Sequence, residues 1–166
     1  RSFLYSRTIK SIQLSDDSEL QTIEKEAFYR SSIESISLSS QFVELQEGWC
    51  SNTPSLTEIL VNEKNRYCTT DENKYLLKKS SLERENYEIL VFAPRNIKNA
   101  DIPDFIEIIG PYTFQKNNVS IVSISNESKL QKIDKFAFSG SDIQAINIPS
   151  NVKIIGENSF SYCESL

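Results

Sequence analysis

The feature that most constrains this chain is a pattern written nearly twice between Leu130 and Leu166. Leu130, Ile133, Ala137 and Phe138 are followed by Ile143, Ile146 and Ile148. After Pro149 the order restarts with Val152, Ile155, Ser159 and Phe160, ahead of Leu166. Each aromatic has apolar residues eight and five positions before it, and an apolar triplet spaced I-x-x-I-x-I begins five or so positions after it. A helix repeats its apolar residues every three to four positions throughout, and a half-buried strand alternates them throughout. A unit of a little over twenty residues that mixes both periods and then restarts specifies a solenoid, in which each unit buries its face only against its neighbours.

The unit extends upstream. Residues 1–14 read as the back half of one, with Phe3 at the aromatic position and Ile9, Ile12 and Leu14 as the triplet, before the polar turn SDDSE. Leu20, Ile23, Ala27 and Phe28 lead to Ile33, Ile36 and Leu38. Phe42, Leu45 and Trp49 lead to Leu56, Ile59 and Val61. The aromatic spacing is 21 from Phe28 to Trp49, 24 from Phe114 to Phe138 and 22 from Phe138 to Phe160, within the roughly 20–29 residues of leucine-rich repeats. Between Trp49 and Phe114 it jumps to 65. There RYCTT, KYLLKK and YEILVFAP, separated by DEN at 71–73 and a polar turn at Glu83–Asn86, read as an inserted antiparallel hairpin or meander. It should lean on the solenoid through Phe92 and Ile97. The expected organisation is repeats over 1–61, an insertion over 62–101 that forms no repeat unit, and repeats over 102–166. Both ends, Arg1 and Leu166, cut through a unit, so a piece of a longer protein is expected.

Composition narrows the chemistry. Isoleucine outnumbers leucine 20 to 13, which favours strands. A net charge of −5 argues against nucleic acid, whose binding needs a basic stripe. No run approaches the length of a membrane span. The chain has no histidine, so Ser-His and Cys-His nucleophile pairs are excluded within it, and no zinc site can be completed around Cys50, Cys68 and Cys163. Those cysteines read as buried free thiols. The pairs Asp16–Asp17 and Glu24–Glu26 read as solvated turns or faces. Asp71-x-Asn73 lacks the glycine and terminal glutamate of a calcium loop. Phe28, Phe114, Phe138 and Phe160 read as a core stack rather than a ligand row. Asn118-Val119-Ser120 and Asn126-Glu127-Ser128 fit the glycosylation sequon, which matters only if the chain is secreted. No cofactor and no metal is expected, and the chain is expected not to be an enzyme.

The residues Leu130-x-x-Ile133 with Ala137-Phe138, Ile146-x-Ile148-Pro149, and Val152-x-x-Ile155-Gly156 with Phe160-x-x-Cys163-x-x-Leu166 resemble the BspA-type leucine-rich repeat family. Ile106-x-x-Ile109-Gly110 and Ala27-Phe28 extend the resemblance over nearly all the chain except 62–101. Asn151 alone stands where other leucine-rich repeats carry their asparagine, so no asparagine ladder is expected. The resemblance implies a surface antigen of the kind found on mucosal microbes and parasitic protists, adhering to host matrix or to other cells.

The expected fold is an α/β-type leucine-rich-repeat solenoid, β-dominated and right-handed. It has a parallel sheet on one side and short helical turns and loops on the other, with one helical turn before each aromatic. In each triplet the apolar residues point inward, so the intervening positions line up on the outer face of the sheet. These are Gln13, Ser37, Leu60, Ser123 and Asn147, with Ser11, Ser35, Glu58, Ile121 and Ala145 one step earlier. This small, polar face is the candidate binding surface for a protein or glycan. A non-catalytic adhesion module at the cell surface is the leading expectation, and an intracellular protein–protein scaffold is the alternative.

Overall fold

The computed structural model describes residues 2–72 and 74–166. Asn73, part of the calcium-loop and turn readings, lies outside them, as does Arg1. The chain is a β-solenoid of about six turns. Front strands β1 (Ser11–Ile12), β3 (Ser35–Leu38) and β5 (Glu58–Val61) form one parallel sheet. Strands β9 (Asn99–Ile102), β11 (Ile121–Ile124) and β13 (Ala145–Ile146) form a second. On the back, β2 (Thr22–Ile23) pairs with β4 (Glu44–Leu45). The strands β8 (Ile89–Phe92), β10 (Ile108–Ile109), β12 (Lys132–Ile133) and β14 (Ile154–Ile155) run parallel in one longer sheet. The triplet explains the front strands, since Ile36, Leu38, Val122 and Ile124 are buried while the residues between them face out.

No helix occurs among the described residues, which corrects the α/β assignment and the helical turn before each aromatic. The cause is how the amides are spent. In the corner around Phe138, the N–H groups of Ala137, Ser139 and Ser141 bond three residues back, to Asp134, Phe136 and Phe138. The alternate N–H groups, of Phe136, Phe138 and Gly140, donate instead to Glu157, Ser159 and Ser161 of the next coil. A helix keeps all of these bonds inside one segment; here half of them join coils. Left-handed residues two positions before and after the aromatic enforce the alternation. They are Glu26 and Arg30 around Phe28, Phe136 and Gly140 around Phe138, and Asn158 and Tyr162 around Phe160. The strands contribute edges to sheets, and these corners lace the coils together.

The same bond pattern moves one unit's register. Phe28 N–H donates to the carbonyl of Trp49 as Phe138 N–H donates to that of Ser159, so Cys50, not Trp49, stands at the aromatic position. Ala93 likewise donates to Thr113, which puts Ala93 at the aromatic position and Phe92 at the small one. Large and small residues are exchanged in both coils, and the exchanged rings Trp49 and Phe92 meet at 6.1 Å.

The insertion is shorter than its expected 62–101. Both β8 and β9 pair in parallel with repeat strands, Leu90 opposite Ile109 and Ala100 opposite Val122, so they are rungs of the solenoid. What interrupts it is a hairpin of β6 (Cys68–Thr70) and β7 (Leu76–Lys78), antiparallel to each other and to β8 as the short links require. The hairpin works as a partition. Leu76 packs in the core that holds Phe28, Trp49 and Phe92, while Tyr75 and Leu77 pack in the core that holds Leu90, Phe114 and Phe138. Phe92 is fully buried and Ile97 packs against the second core, but both belong to the coil of β8 and β9, so they are parts of the solenoid and not the points by which an insertion leans on it.

Cross-coil polar bonds stiffen the corners. Asn65 donates to the carbonyls of Ser39 and Phe42, Asn117 to that of Pro94 at 2.7 Å, and Asn151 to that of Ser128. No single register unites them. Gly156 marks a closer approach: a Cβ there would sit 2.5 Å from the backbone nitrogen of Lys135. Gly156→Ala must therefore push coils apart, and a loss of about 1–3 kcal/mol is expected from denaturant unfolding. An alanine variant as stable as the parent would show that the contact yields freely.

Candidate functional site

Within each half of the front sheet the outer residues lie in register from strand to strand. Ser11 lies opposite Ser35 and Ser35 opposite Glu58, with Ser37 opposite Leu60. Ile121 lies opposite Ala145 in the second half. Gln13, Ser123 and Asn147 are exposed, as are Leu60 at 52% and Ile121 at 50%. Ser37 is not wholly free, because its hydroxyl oxygen accepts the N–H of Leu14 at 2.8 Å. The face is therefore small and polar, with two exposed aliphatic side chains, one in each half.

Two members of the face were missed, Asn99 opposite Ile121 and Asp101 opposite Ser123, both exposed. The signal was present, since Asn99-Ala100-Asp101-Ile102 alternates polar and apolar residues. Its reading as insertion concealed it. The face is also not continuous, because no ladder joins β5 to β9. The tip of the hairpin reaches this seam from inside. Lys74 Nζ lies 4.0 Å from Glu58 on β5, while the Tyr75 hydroxyl sits beside the backbone and carboxylate of Asp101 on β9. Burial, followed by the Asp71 and Asp101 charges, pushes the Tyr75 phenol well up, so it stays protonated. Asp71 closes the tip, its carboxylate accepting the Tyr75 N–H at 2.8 Å.

The remaining candidate chemistry resolves into structure. The rings of Phe114, Phe138 and Phe160 stack, as do those of Phe3 and Phe28, with Phe28, Phe114 and Phe138 buried. Cys50 and Cys68 are buried free thiols and Cys163 is half-buried. Burial pushes Cys68 up to about 12, so it is no nucleophile near neutral pH. Asp16 takes a hydrogen bond from Asn62 at 2.6 Å in an exposed turn. Among the described residues no three His, Cys, Asp or Glu side chains are grouped to hold a metal ion, and no helix is long and apolar enough to cross a membrane.

One buried carboxylate has a titratable consequence. Burial raises the Glu88 carboxyl, but hydrogen bonds from the Ser80 hydroxyl and the Ser80 amide (3.0 Å), with Arg84 at 3.6 Å, outweigh it and hold the group below its ordinary value. A depressed folded pKa adds stability above the unfolded pKa, and this is lost as pH falls through the folded one. Unfolding midpoints should drop below about pH 4.5 more steeply in the parent than in Glu88→Gln. Parallel acid profiles would remove Glu88 from the acid response.

Comparison with known proteins agrees with this geometry. The sequence matches the BspA type leucine-rich repeat region, a profile of 6 copies, over residues 1–88 and 86–166. No curated protein matches it. A leucine-rich repeat protein from Eubacterium ventriosum superposes with a TM-score of 0.82 at 21% identity, over 99% of this chain and 42% of that one. The pneumococcal vaccine antigen PcpA gives 0.75 at 23% identity, over 99% and 45%. A leucine-rich cell surface protein from Faecalibacterium prausnitzii gives 0.52 at 16%, over 94% and 46%. The chain thus spans less than half the length of each of these structures.

Proposed function

The chain belongs to the BspA type leucine-rich repeat family, and from that premise we propose that it is a non-catalytic recognition module of a surface protein, adhering through its front sheet. The observation that carries this reading is the alignment of Ser11, Ser35 and Glu58, and of Asn99, Ile121 and Ala145, into outward rows free of bulky ion pairs except at the seam. Short polar side chains on a stiff backbone offer hydrogen bonds at little cost in side-chain entropy. Leu60 and Ile121 supply exposed apolar area in the two halves. The similar folds of a pneumococcal vaccine antigen and of a cell surface protein support an outward location. A protein ligand in the host matrix fits this face, because rows that run across several coils can meet a broad partner surface.

The test is binding of the whole chain to an array of immobilised matrix proteins. Ser37→Arg and Ser123→Arg should each weaken capture about tenfold by placing a bulky charge on the rows. Glu127→Arg, in an exposed connector away from the sheet, should behave as the parent. If both sheet variants bind like the parent, the front sheet is not the adhesive surface.

A further inference from the structure

Besides the front sheet, the corner that carries the aromatic turns holds an open cleft of about 700 Å³, within the size range of small-ligand sites. We infer that this cleft is a second binding site and that its ligand is a neutral saccharide. Its floor is cut at Gly140, a left-handed residue (φ 66°) in the same column as Lys116 and Tyr162 on the coils either side. A side chain there would meet Lys116 Cγ at 3.4 Å, so the missing one opens a notch between those two. Tyr162 stands at one edge of the notch, 83% exposed. The stacked pair Tyr112 and Phe136, 5.2 Å apart, lines another side.

The polar groups fit hydroxyls. Gln115 is nine-tenths buried and lines the cleft. Its side-chain oxygen accepts the Asn52 N–H at 3.2 Å, which leaves its NH₂ for a ligand. Ser139, whose oxygen already accepts from the Ser161 hydroxyl at 2.9 Å, and Ser141, 3.6 Å from Cys163 Sγ, also line the cleft, and Asp142 and Glu164 offer acceptors. A sugar ring presents C–H faces that lie against aromatic rings and a rim of hydroxyls that both donate and accept, which is the mixture this lining provides. Lys116 is outnumbered by Asp142 and Glu164, so sulfated or carboxylated sugars are disfavoured. The site shares no residue with the proposed adhesive rows, and neither reading depends on the other.

The experiment is an NMR titration of the whole chain with chitotriose, cellotriose and mannotriose, with a sulfated heparin trisaccharide as the charged probe. At least one neutral trisaccharide should saturate with a dissociation constant on the order of 1 mM, as suits an open cleft covering one or two rings. Its shifts should centre on the Gln115 side chain and on Gly140 and Tyr162. Tyr162→Ala removes an exposed ring, and Gly140→Asn fills the notch with a residue that tolerates the left-handed backbone. Each should weaken binding at least about tenfold while leaving the rest of the spectrum unchanged. Three results overturn the proposal: no saturation by a neutral trisaccharide, stronger binding of the sulfated probe, or variants that bind like the parent.

Discussion

Truncating Arg95 to alanine should lower the stability of the protein by about 3–5 kcal/mol, through the cavity left and the hydrogen bonds lost, among the largest effects of any single change. Arg95 is 1% exposed although it carries a charge. Its coil is short: three fewer residues separate Leu90 from Ala100 than Ile109 from Val122, and no left-handed pair flanks Ala93. The guanidinium bridges the corner left by the missing residues. Nη1 donates to the Thr113 carbonyl at 2.7 Å, Nη2 lies 3.4 Å from the Tyr112 carbonyl and 3.6 Å from Cys50 Sγ, and the group stacks over Phe92 at 4.8 Å. Cys50 belongs to the first core, and Thr113 and Tyr112 to the coil that follows, so one side chain bolts the halves across the seam. Burial pulls the guanidinium down and pushes the Cys50 thiol up, so the pair is a charged donor beside a neutral thiol.

Truncation leaves both a cavity and a weakened carbonyl corner, and a second substitution separates them. Arg95→Met keeps most of the volume and loses only the donors, so it should cost about half as much as Arg95→Ala. Urea unfolding midpoints would show this order. An alanine variant within about 0.5 kcal/mol of the parent would mean that the corner closes without the bolt.

The strands were legible in the sequence because apolar spacing determines which residues a rung must bury. Ile36, Val122 and Ile146 fall where the triplets put them. The corners were not legible, because left-handed conformations at Glu26, Arg30, Phe136, Asn158 and Tyr162 are spelled by residues with no common chemistry. An aromatic preceded by a small residue looks the same at the end of a helical turn as at a corner that spends alternate amides on its neighbour. Trp49-Cys50 and Phe92-Ala93 hid two coils for a related reason: a ring in the small position fills the same core from the adjacent residue. Most of the candidate face followed from the pattern, and Asn99 and Asp101 were lost with the coil that contains them. Arg95 carries little local signal, since the hydrogen-bond partners of its guanidinium lie 17 to 45 residues away.

Phe138→Ala should also cost about 3–5 kcal/mol, through a different mechanism. The ring is fully buried between Phe114, 4.8 Å away and nearly parallel, and Phe160, 5.2 Å away and equally aligned. In a solenoid stability is approximately the sum of the units and the interfaces between neighbours. One ring in the middle of a stack belongs to two interfaces, so its loss weakens both at once. Backbone bonds prevent collapse into the void, because Phe138 N–H is fixed to Ser159 at 2.7 Å and its carbonyl accepts from the Cys163 thiol at 3.1 Å. Phe160→Ala is the natural comparison: that ring is half-buried and stacks on Phe138 alone among the described aromatics. Its loss should cost about half as much. In the double variant Phe114→Ala/Phe138→Ala the total should fall short of the sum, since the second truncation no longer breaks the stack already lost. Full additivity would show that the rings contribute by separate burial and not as a stack. A Phe138→Ala protein as stable as the parent would place the ring outside the core and reopen a ligand role for the aromatic row.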